Sequence, residues 1–481
     1  MSVHSEGDND STRSSTQDST STYAFSGTDP PHEAFDTFQH KVLALTHSIY
    51  GVAAVTLQRV RGGSYNRVVV AHVKLIDQGE LSVIFRIPRN RNVPAGIERN
   101  SSEDIETDIL NQVAVLQLLQ SRSIPAPKLL AYDASSQNAI GLPYVLQQFS
   151  HGKTLEDFYE DMTFQEKMQV AETLADFLVR METLTFEESG TVVATQADSA
   201  APATKASALS APLDNVTAGV RGFSDPYEHV LTPHTAACPR ELIGGLLKAR
   251  LDGEVAQGGP ENGMRVILSK IYAMFEDMCS VGLFEDDGLT RRNILHHWDL
   301  QPRNILVKTT SLERGGQDLE ERLEKCLDIA RSPEKWIIDV VVDWDQVQAV
   351  PSIFARKPPI WLWDFPMEKY DLSRPPGYDF DEDLQPAERY DSSKGMLSAE
   401  SVQIQARFEE RFVSNMQQLY PTYTAKIYQD EAYGRGRWIR RMARYAIFGL
   451  HDSEAFKRFR GLEQEWSKAR SNLAFSADNG S

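Results

Sequence analysis

Cysteine is scarce in this chain. Its three cysteines among 481 residues, Cys238, Cys279 and Cys326, are odd in number, far apart and free of C-x-x-C spacing, which argues against a disulfide framework or a structural zinc site. No stretch approaches the roughly 20 consecutive apolar residues of a membrane span, and Met1-Ser2-Val3-His4-Ser5-Glu6 lacks the basic and apolar layout of a signal peptide. A cytoplasmic protein with no membrane partner is expected. Positive charge is also in deficit, with 50 Lys and Arg against 68 Asp and Glu and a formal net charge of -18. That balance disfavours nucleic acid, whose phosphates demand a basic patch. It would suit a cationic substrate, although total charge says little about a pocket. Large apolar residues are almost absent from residues 1–33, so that segment cannot bury enough surface to offset its ordering entropy and is expected to be a disordered tail; residues 476–481 are read as a second, short one. The remainder is ordinary for a globular protein, 41% hydrophobic and 25% charged.

One stretch carries chemistry. His297-Trp298-Asp299-Leu300-Gln301-Pro302-Arg303-Asn304 has H-x-D-x-x-x-x-N spacing, which places three polar side chains where phosphoryl transfer needs them. Asp299 is the residue to orient the attacking hydroxyl and take its proton, and Asn304 to hold a metal ion on nucleotide phosphates. Downstream, Trp336 to Val342 reads as a buried strand that delivers Asp343-Trp344-Asp345 at its end. A carboxylate there suits Mg²⁺, which takes one or two carboxylates plus phosphate oxygens, so Asp343 is the second metal ligand. Asp339 alternates onto the opposite face and is a weaker candidate. His296 beside His297 does not match zinc spacing.

Together, H-W-D-L-Q-P-R-N-I-L-V and V-V-D-W-D-Q resemble the motifs of the aminoglycoside phosphotransferase and choline kinase superfamily, and are especially similar to its fungal branch. Trp298 stands where Gly is usual, and Asp345 where Glu is usual. The resemblance implies an α+β, two-lobed protein-kinase-like fold: a small β-rich N-lobe over residues 34–149 and a larger, mainly helical C-lobe over 150–475. It further implies ATP and Mg²⁺ as cofactors and transfer of the γ-phosphate to a hydroxyl of a small molecule of unknown identity. His297 corresponds to the histidine that braces the catalytic loop.

The amino-terminal half fits the same resemblance. Val52 to Val60, Arg67 to Lys74 and Leu81 to Pro88 are strand-like, and Arg61-Gly62-Gly63-Ser64-Tyr65-Asn66 joins the first two as a glycine turn. By the resemblance, Gly62, Gly63, Ser64 and Asn66 belong to the loop that covers the phosphates. Arg86 on the third strand neutralises them. Ile105, Ile109, Val113 and Leu116 give a helix from about Asp104 to Leu119, on which Gln112 takes the family's Glu position and accepts a hydrogen bond from Arg86, with Asp108 as a substitute partner. Ile124-Pro125-Ala126-Pro127 precedes the strands that run into the hinge, where backbone groups of Gln147, Gln148 and Phe149 bind adenine.

Several segments look accessory. Residues 190–218, rich in Ala, Ser and Thr, and residues 310–334, which carry an amphipathic stripe through Leu319 and Leu323, are read as a loop and as a short helix inserted in the C-lobe; they leave a protein partner open. Asp379-Phe380-Asp381-Glu382-Asp383 reads as a solvated acidic loop. Arg435, Arg437, Arg440, Arg441 and Arg444 read as a solvated helix face with a substrate-phosphate contact as the minority alternative, and Trp361 as core, with Trp363 open between core and pocket. Gln112 and Trp298 motivate a second function class, a catalytically weak or inactive kinase-like scaffold. A protein kinase is disfavoured because no A-P-E segment follows Asp345.

Overall fold

The computed structural model describes residues 33–51, 54–60, 66–75, 79–88, 102–196, 216–223, 236, 238–257, 263–285, 292–310, 335–345, 347–364, 397–450 and 453–478. The Gly62-Gly63-Ser64 turn, the stripe through Leu319 and Leu323, Cys326 and the acidic run at Asp379–Asp383 lie outside them.

The first lobe opens with helix α1 (Phe35–Tyr50), followed by β1 (Ala54–Val60), β2 (Asn66–Leu75) and β3 (Gly79–Pro88). Helix α2 (Ser102–Ser121) then leads to β4 (Leu129–Asp133) and β5 (Tyr144–Gln148). The five strands form one antiparallel sheet in the order β1-β2-β3-β5-β4. Period-two alternation puts Val69, Ala71 and Val73 of β2 beside Val83, Phe85 and Ile87 of β3, and α1 covers that face with Phe38, Val42, Leu45 and Ile49. Each of those four helix residues is 5% exposed or less, so α1 closes one face of the sheet. Helix α2 packs elsewhere: Ile109, Val113, Leu116 and Leu119 join Leu129 and Val145 to the main core of the second lobe. Through α2 the two lobes share one apolar cluster.

The second lobe is mostly helical. Its elements are β6 (Lys153–Thr154), α3 (Phe164–Met181), β7 (Thr185–Phe186), β8 (Gly190–Gln196), β9 (Val216–Arg221), α4 (Pro239–Gln257), α5 (Gly263–Ser280), β10 (Asn293–His296), β11 (Ile305–Thr309), β12 (Trp336–Val341), β13 (Gln348–Pro351), α6 (Ala399–Leu419), α7 (Ala425–Ala432), α8 (Arg435–Phe448) and α9 (Ser453–Asp478). Two small sheets, β7-β10-β13-β8-β9 and β12-β11-β6, sit among the helices. Strand pairing corrects the two ends of the loop expected over residues 190–218, of which 197–215 lie outside the described residues: β8 and β9 are antiparallel from Thr191 opposite Arg221 to Gln196 opposite Val216. The β-branched residues of Thr191-Val192-Val193-Ala194-Thr195 are strand chemistry that the Ala/Ser/Thr composition around them obscured. A second core joins α4 and α5 to α8 and α9 through Leu242, Leu246, Ile271, Phe275, Met442 and Leu462. Among the described residues no helix is long and apolar enough to cross a membrane.

Candidate active site

Strand β10 delivers the chain into the loop His297–Asn304, and β11 carries it away. The loop ends in a 3-10 turn, Pro302–Asn304, with proline at its start. His297 is buried. A carbonyl only accepts, so its Nε2–H donates to the oxygen of Val342 at 3.0 Å, and its ring meets Trp344 edge to face at 4.9 Å. Burial pushes its pKa below the ordinary histidine value, while the Val342 hydrogen bond pulls the other way and less strongly. The ring therefore stays neutral near pH 7, and it ties the loop to the strand that bears Asp343.

Asp299 is held by its own loop. Arg303 Nη2 donates to its Oδ1 at 2.5 Å, and Asn304 Nδ2 donates to its Oδ2 at 2.9 Å and to its carbonyl at 2.8 Å. Its side chain is still 44% exposed, which leaves room for an incoming hydroxyl. Because Nδ2 of Asn304 is spent on Asp299, the amide Oδ1 points away from that carboxylate. The N–H of Val342 donates to the Asn304 carbonyl at 2.8 Å, so Asn304 is fixed next to the strand end that carries Asp343. Asp343 itself has φ +66°. That left-handed backbone costs a non-glycine residue on the order of 1–3 kcal/mol and is concentrated at functional sites. An amide oxygen and a half-exposed carboxylate are a hard, all-oxygen donor set that fits Mg²⁺ sharing its shell with phosphate oxygens. No group of three or more His, Cys, Asp or Glu that could cage a metal occurs among the described residues. Asp339 faces away, bonded by Ser150 Oγ at 2.5 Å and Lys308 Nζ at 2.7 Å.

The amino-terminal lobe meets this site through Asp345. Arg86 Nη2 lies 2.7 Å from Asp345 Oδ2 and 3.2 Å from Asp343 Oδ1. Asn66 Nδ2 donates to Asp345 Oδ2 at 2.9 Å, and Gln112 Nε2 donates to Asp345 Oδ1. The expected contact, Gln112 accepting from Arg86, is thus replaced. Both side chains donate to a shared carboxylate from the other lobe, which supplies the negative charge that Gln112 lacks. Asp345 was missed as an anchor in the sequence; the signal was its D-x-D spacing, which brings a second carboxylate to the same strand end.

The hinge also differs in detail. Strand β5 is flanked on both sides, so Gln147 is in register with Ile84 and Leu129, the Gln148 N–H donates to Lys128 O at 2.8 Å, and the Phe149 N–H donates to Ser82 O at 3.1 Å. Sheet hydrogen bonds consume these two donors. Backbone recognition of a base at Gln147, Gln148 and Phe149 would have to use carbonyls, or donors further along at Ser150 and His151.

A cavity of about 540 Å³ opens beside the loop His297–Asn304. Trp298, Leu300 and Gln301 form one wall, so Asp299 is flanked by lining residues on both sides. Trp298 stacks edge to face on His296 at 4.6 Å and on Phe448 of α8 at 5.2 Å, and its Nε1 donates to Gln348 at 2.6 Å. The bulk that replaces the usual glycine shapes this wall. Trp361 also lines the cavity but is 2% exposed, and Trp363 is 6% exposed, so both are core. The solvated reading of the arginine-rich helix is overturned for Arg437, Arg440 and Arg441, each 7% exposed or less. Arg437 and Arg441 bind Glu465 of α9, and Arg440 donates to the carbonyls of Glu431 and Ala432. Partners from other elements, invisible in a local pattern, draw these guanidinium groups inward.

Residues 56–219 match the family described as the phosphotransferase enzyme family; the match takes in the sheet, α2 and α3 and ends before the catalytic loop. Among curated proteins, the chain is 23% identical over 297 residues to altered inheritance of mitochondria protein 9, mitochondrial, of Zygosaccharomyces rouxii, covering 53% of this chain and 46% of that one. A protein of the same name from Candida glabrata is 23% identical over 160 residues, covering 29% and 23%. The chain therefore spans less than half the length of these relatives. Among solved structures, the ADP-bound aminoglycoside phosphotransferase APH(2'')-Ib aligns at 10% identity and TM-score 0.39, covering 89% of this chain and 96% of that one. An ethanolamine kinase of Plasmodium vivax aligns at 10% identity and TM-score 0.31, covering 80% of each. With its β-rich first lobe, helical second lobe and matched segment, the chain resembles the aminoglycoside phosphotransferase and choline kinase superfamily and has that superfamily's α+β, protein-kinase-like fold.

Proposed function

We propose that the chain is an ATP- and Mg²⁺-dependent phosphotransferase acting on a hydroxyl of a small molecule. The observation that carries this reading is the joint placement of Asp299, Asn304 and Asp343 by hydrogen bonds between the loop and the strand end, at the edge of a cavity. Asp299 orients the acceptor hydroxyl and takes its proton. Asn304 and Asp343 would hold Mg²⁺, which when bound neutralises charge on the phosphates. The remaining rate enhancement would come from positioning and from fixed donors. Arg86 would move from Asp345 towards the phosphates as nucleotide enters, and Gly62, Gly63 and Ser64 would cover them. A cytoplasmic location is part of the proposal; the curated relatives carry a mitochondrial name, and cell fractionation decides between the two compartments.

One observation favours a second reading, the weak or inactive scaffold. Arg86 is engaged by two carboxylates, so nucleotide must displace it. Calorimetry separates the two. An active enzyme binds ATP much more tightly with Mg²⁺ than with EDTA, and Asp343→Ala erases the difference; metal-independent binding selects the scaffold. A screen of ATP consumption against sugars, amino-sugars, amines and hydroxy acids, with Asp299→Asn as control, then finds the acceptor class.

A further inference from the structure

We propose that the cavity beside the loop His297–Asn304 is the acceptor subsite and that it takes an uncharged aromatic alcohol, held on Trp298 and Phe448. This deepens the phosphotransferase reading and rests on it. At about 540 Å³ the cavity suits a small molecule. The charged side chains of its wall are already engaged. Arg356 binds Glu182 and Glu431, Arg440 donates to the carbonyls of Glu431 and Ala432, and Lys357, Arg444 and Arg458 each interact with other groups of the chain. Recognition of a ligand therefore falls to what the wall leaves uncovered.

That uncovered surface is aromatic. Trp298 is 36% exposed and Phe448 43%, and no other phenylalanine, tyrosine or tryptophan among the described residues is as exposed. Both line this cavity, and their rings meet edge to face at 5.2 Å with 81° between the planes. Trp298 is fixed from behind by a cross-strand pair. It packs edge to face on His296 of β10 at 4.6 Å, and its Nε1 donates at 2.6 Å to Gln348 of β13, the residue opposite His296 in the ladder. That bond uses the single polar group of the indole, so only the ring is left for a ligand. Desolvation, with repulsion from His297, Lys357 and Arg440, pushes the pKa of His296 down to about 3, so this neighbour adds no charge. Phe448 ends α8 and is wholly apolar. Two perpendicular rings form a corner, and a third planar ring can stack on one while setting its positive edge against the face of the other, the geometry aromatic pairs prefer. A sugar or polyol brings hydroxyls instead, which lose water against these rings with nothing to replace it. A quaternary ammonium would be drawn to a ring face, yet it brings a charge to a wall whose charges are already engaged. Asp299 follows Trp298 directly and Leu300 is again on the wall, so a ring in this corner brings its hydroxyl beside the carboxylate. In the reaction, the acceptor oxygen bonds to the γ-phosphorus as the bond from that phosphorus to the bridging oxygen breaks. ADP leaves with the electron pair, and Asp299 receives the hydroxyl proton.

The full chain is titrated, by ligand-observed NMR, with benzyl alcohol, naphthylmethanol, glucose, glycerol and choline. The aromatic alcohols are expected to bind roughly tenfold or more tightly than the other three. Phe448→Ala and Trp298→Leu should each weaken them by about fivefold or more, whereas Trp298→Phe, which keeps a ring but loses the bond to Gln348, should stay within about threefold of the wild type. That last variant separates a ring that touches the ligand from a side chain that only supports the wall. Glucose, glycerol or choline binding as tightly as the aromatic alcohols, no saturable aromatic binding, or unchanged affinity in Phe448→Ala would overturn the proposal. So would Trp298→Phe binding as poorly as Trp298→Leu. Mg²⁺-ATP binding is measured separately on the same protein. Aromatic binding without nucleotide binding sinks the phosphotransferase reading and keeps the aromatic site; phosphoryl transfer to glucose or choline in preference to the aromatic alcohols does the reverse.

Discussion

Asp343 and Asp345 lie two residues apart yet meet different surroundings, because the chain turns through positive φ at Asp343 and leaves its carboxylate half-exposed while Asp345 receives donors from Arg86, Asn66 and Gln112. This reverses what a charge argument on Gln112 alone suggests. Gln112→Glu would place a carboxylate against that of Asp345, so turnover should fall, by about tenfold, and the interlobe contact should loosen; a variant with wild-type or higher turnover would show that Gln112 answers to Arg86 instead. Asp299 gives the cleaner chemical test. Asp299→Asn keeps the shape but removes the proton acceptor, so nucleotide affinity should stay within about threefold, under roughly 0.7 kcal/mol. Transfer to the true acceptor should drop about 10²-fold or more, the usual contribution of an acid-base group. Unchanged turnover would take the base role from Asp299.

Elements set how firmly these residues are held. Helix α3, which packs against α6 through the Arg407–Glu172 and Arg411–Asp176 pairs, starts in a full capping box: the Glu166 N–H donates to Thr163 Oγ1, and the Thr163 N–H donates back to the Glu166 carboxylate. Thr163→Ala should cost about 1 kcal/mol, read as a lower denaturation midpoint, with catalysis at 25 °C unaffected. A larger effect follows from Arg356, which joins the end of α3 at Glu182 to Glu431 on α7 within a fully buried group that includes Tyr423. Removing the guanidinium leaves two buried carboxylates uncompensated, so Arg356→Met should destabilise by about 3–5 kcal/mol and deform the cavity wall at Lys357. Calorimetric melting tests this, and a loss below about 1 kcal/mol would mean that Glu182 and Glu431 are satisfied elsewhere. Helix α2 was legible from its Ile109, Val113, Leu116 repeat. The burial of α8 was not, since its arginines carry a polar pattern and their partners are supplied by α7, α9 and the turn before Lys357.

At the scale of the whole molecule, proton binding should couple to folding through the two histidines where β10 enters the loop His297–Asn304. His296 and His297 both have folded pKa values below the ordinary 6.5, chiefly because burial disfavours the imidazolium. In the unfolded chain each protonates near pH 6.5, so folding is opposed once protons are available. Their contribution to stability is therefore complete above about pH 6.5 and is lost as pH falls from there towards their folded values. The melting temperature should decline between pH 7.5 and 5, and His296→Gln should flatten that decline. An equal slope in the variant would place the acid sensitivity elsewhere.

By itself the sequence determined the local chemistry. Fixed spacing within one loop set Asp299, Asn304 and their bracing His297, a strand of β-branched residues set the position of Asp343, and alternating or helical periodicity set β2, β3 and α2; these depend on neighbours only a few residues away. Tertiary structure decided the rest, because the deciding partners lie far along the chain. Asp345 became the anchor of Arg86 and Gln112 across 259 and 233 residues, the amides of Gln148 and Phe149 were taken up by flanking strands, and Trp298 and Phe448 met at one cavity from separate elements. A net charge sums over the whole surface, whereas a binding site answers to the few groups that line it, and only the folded chain places those.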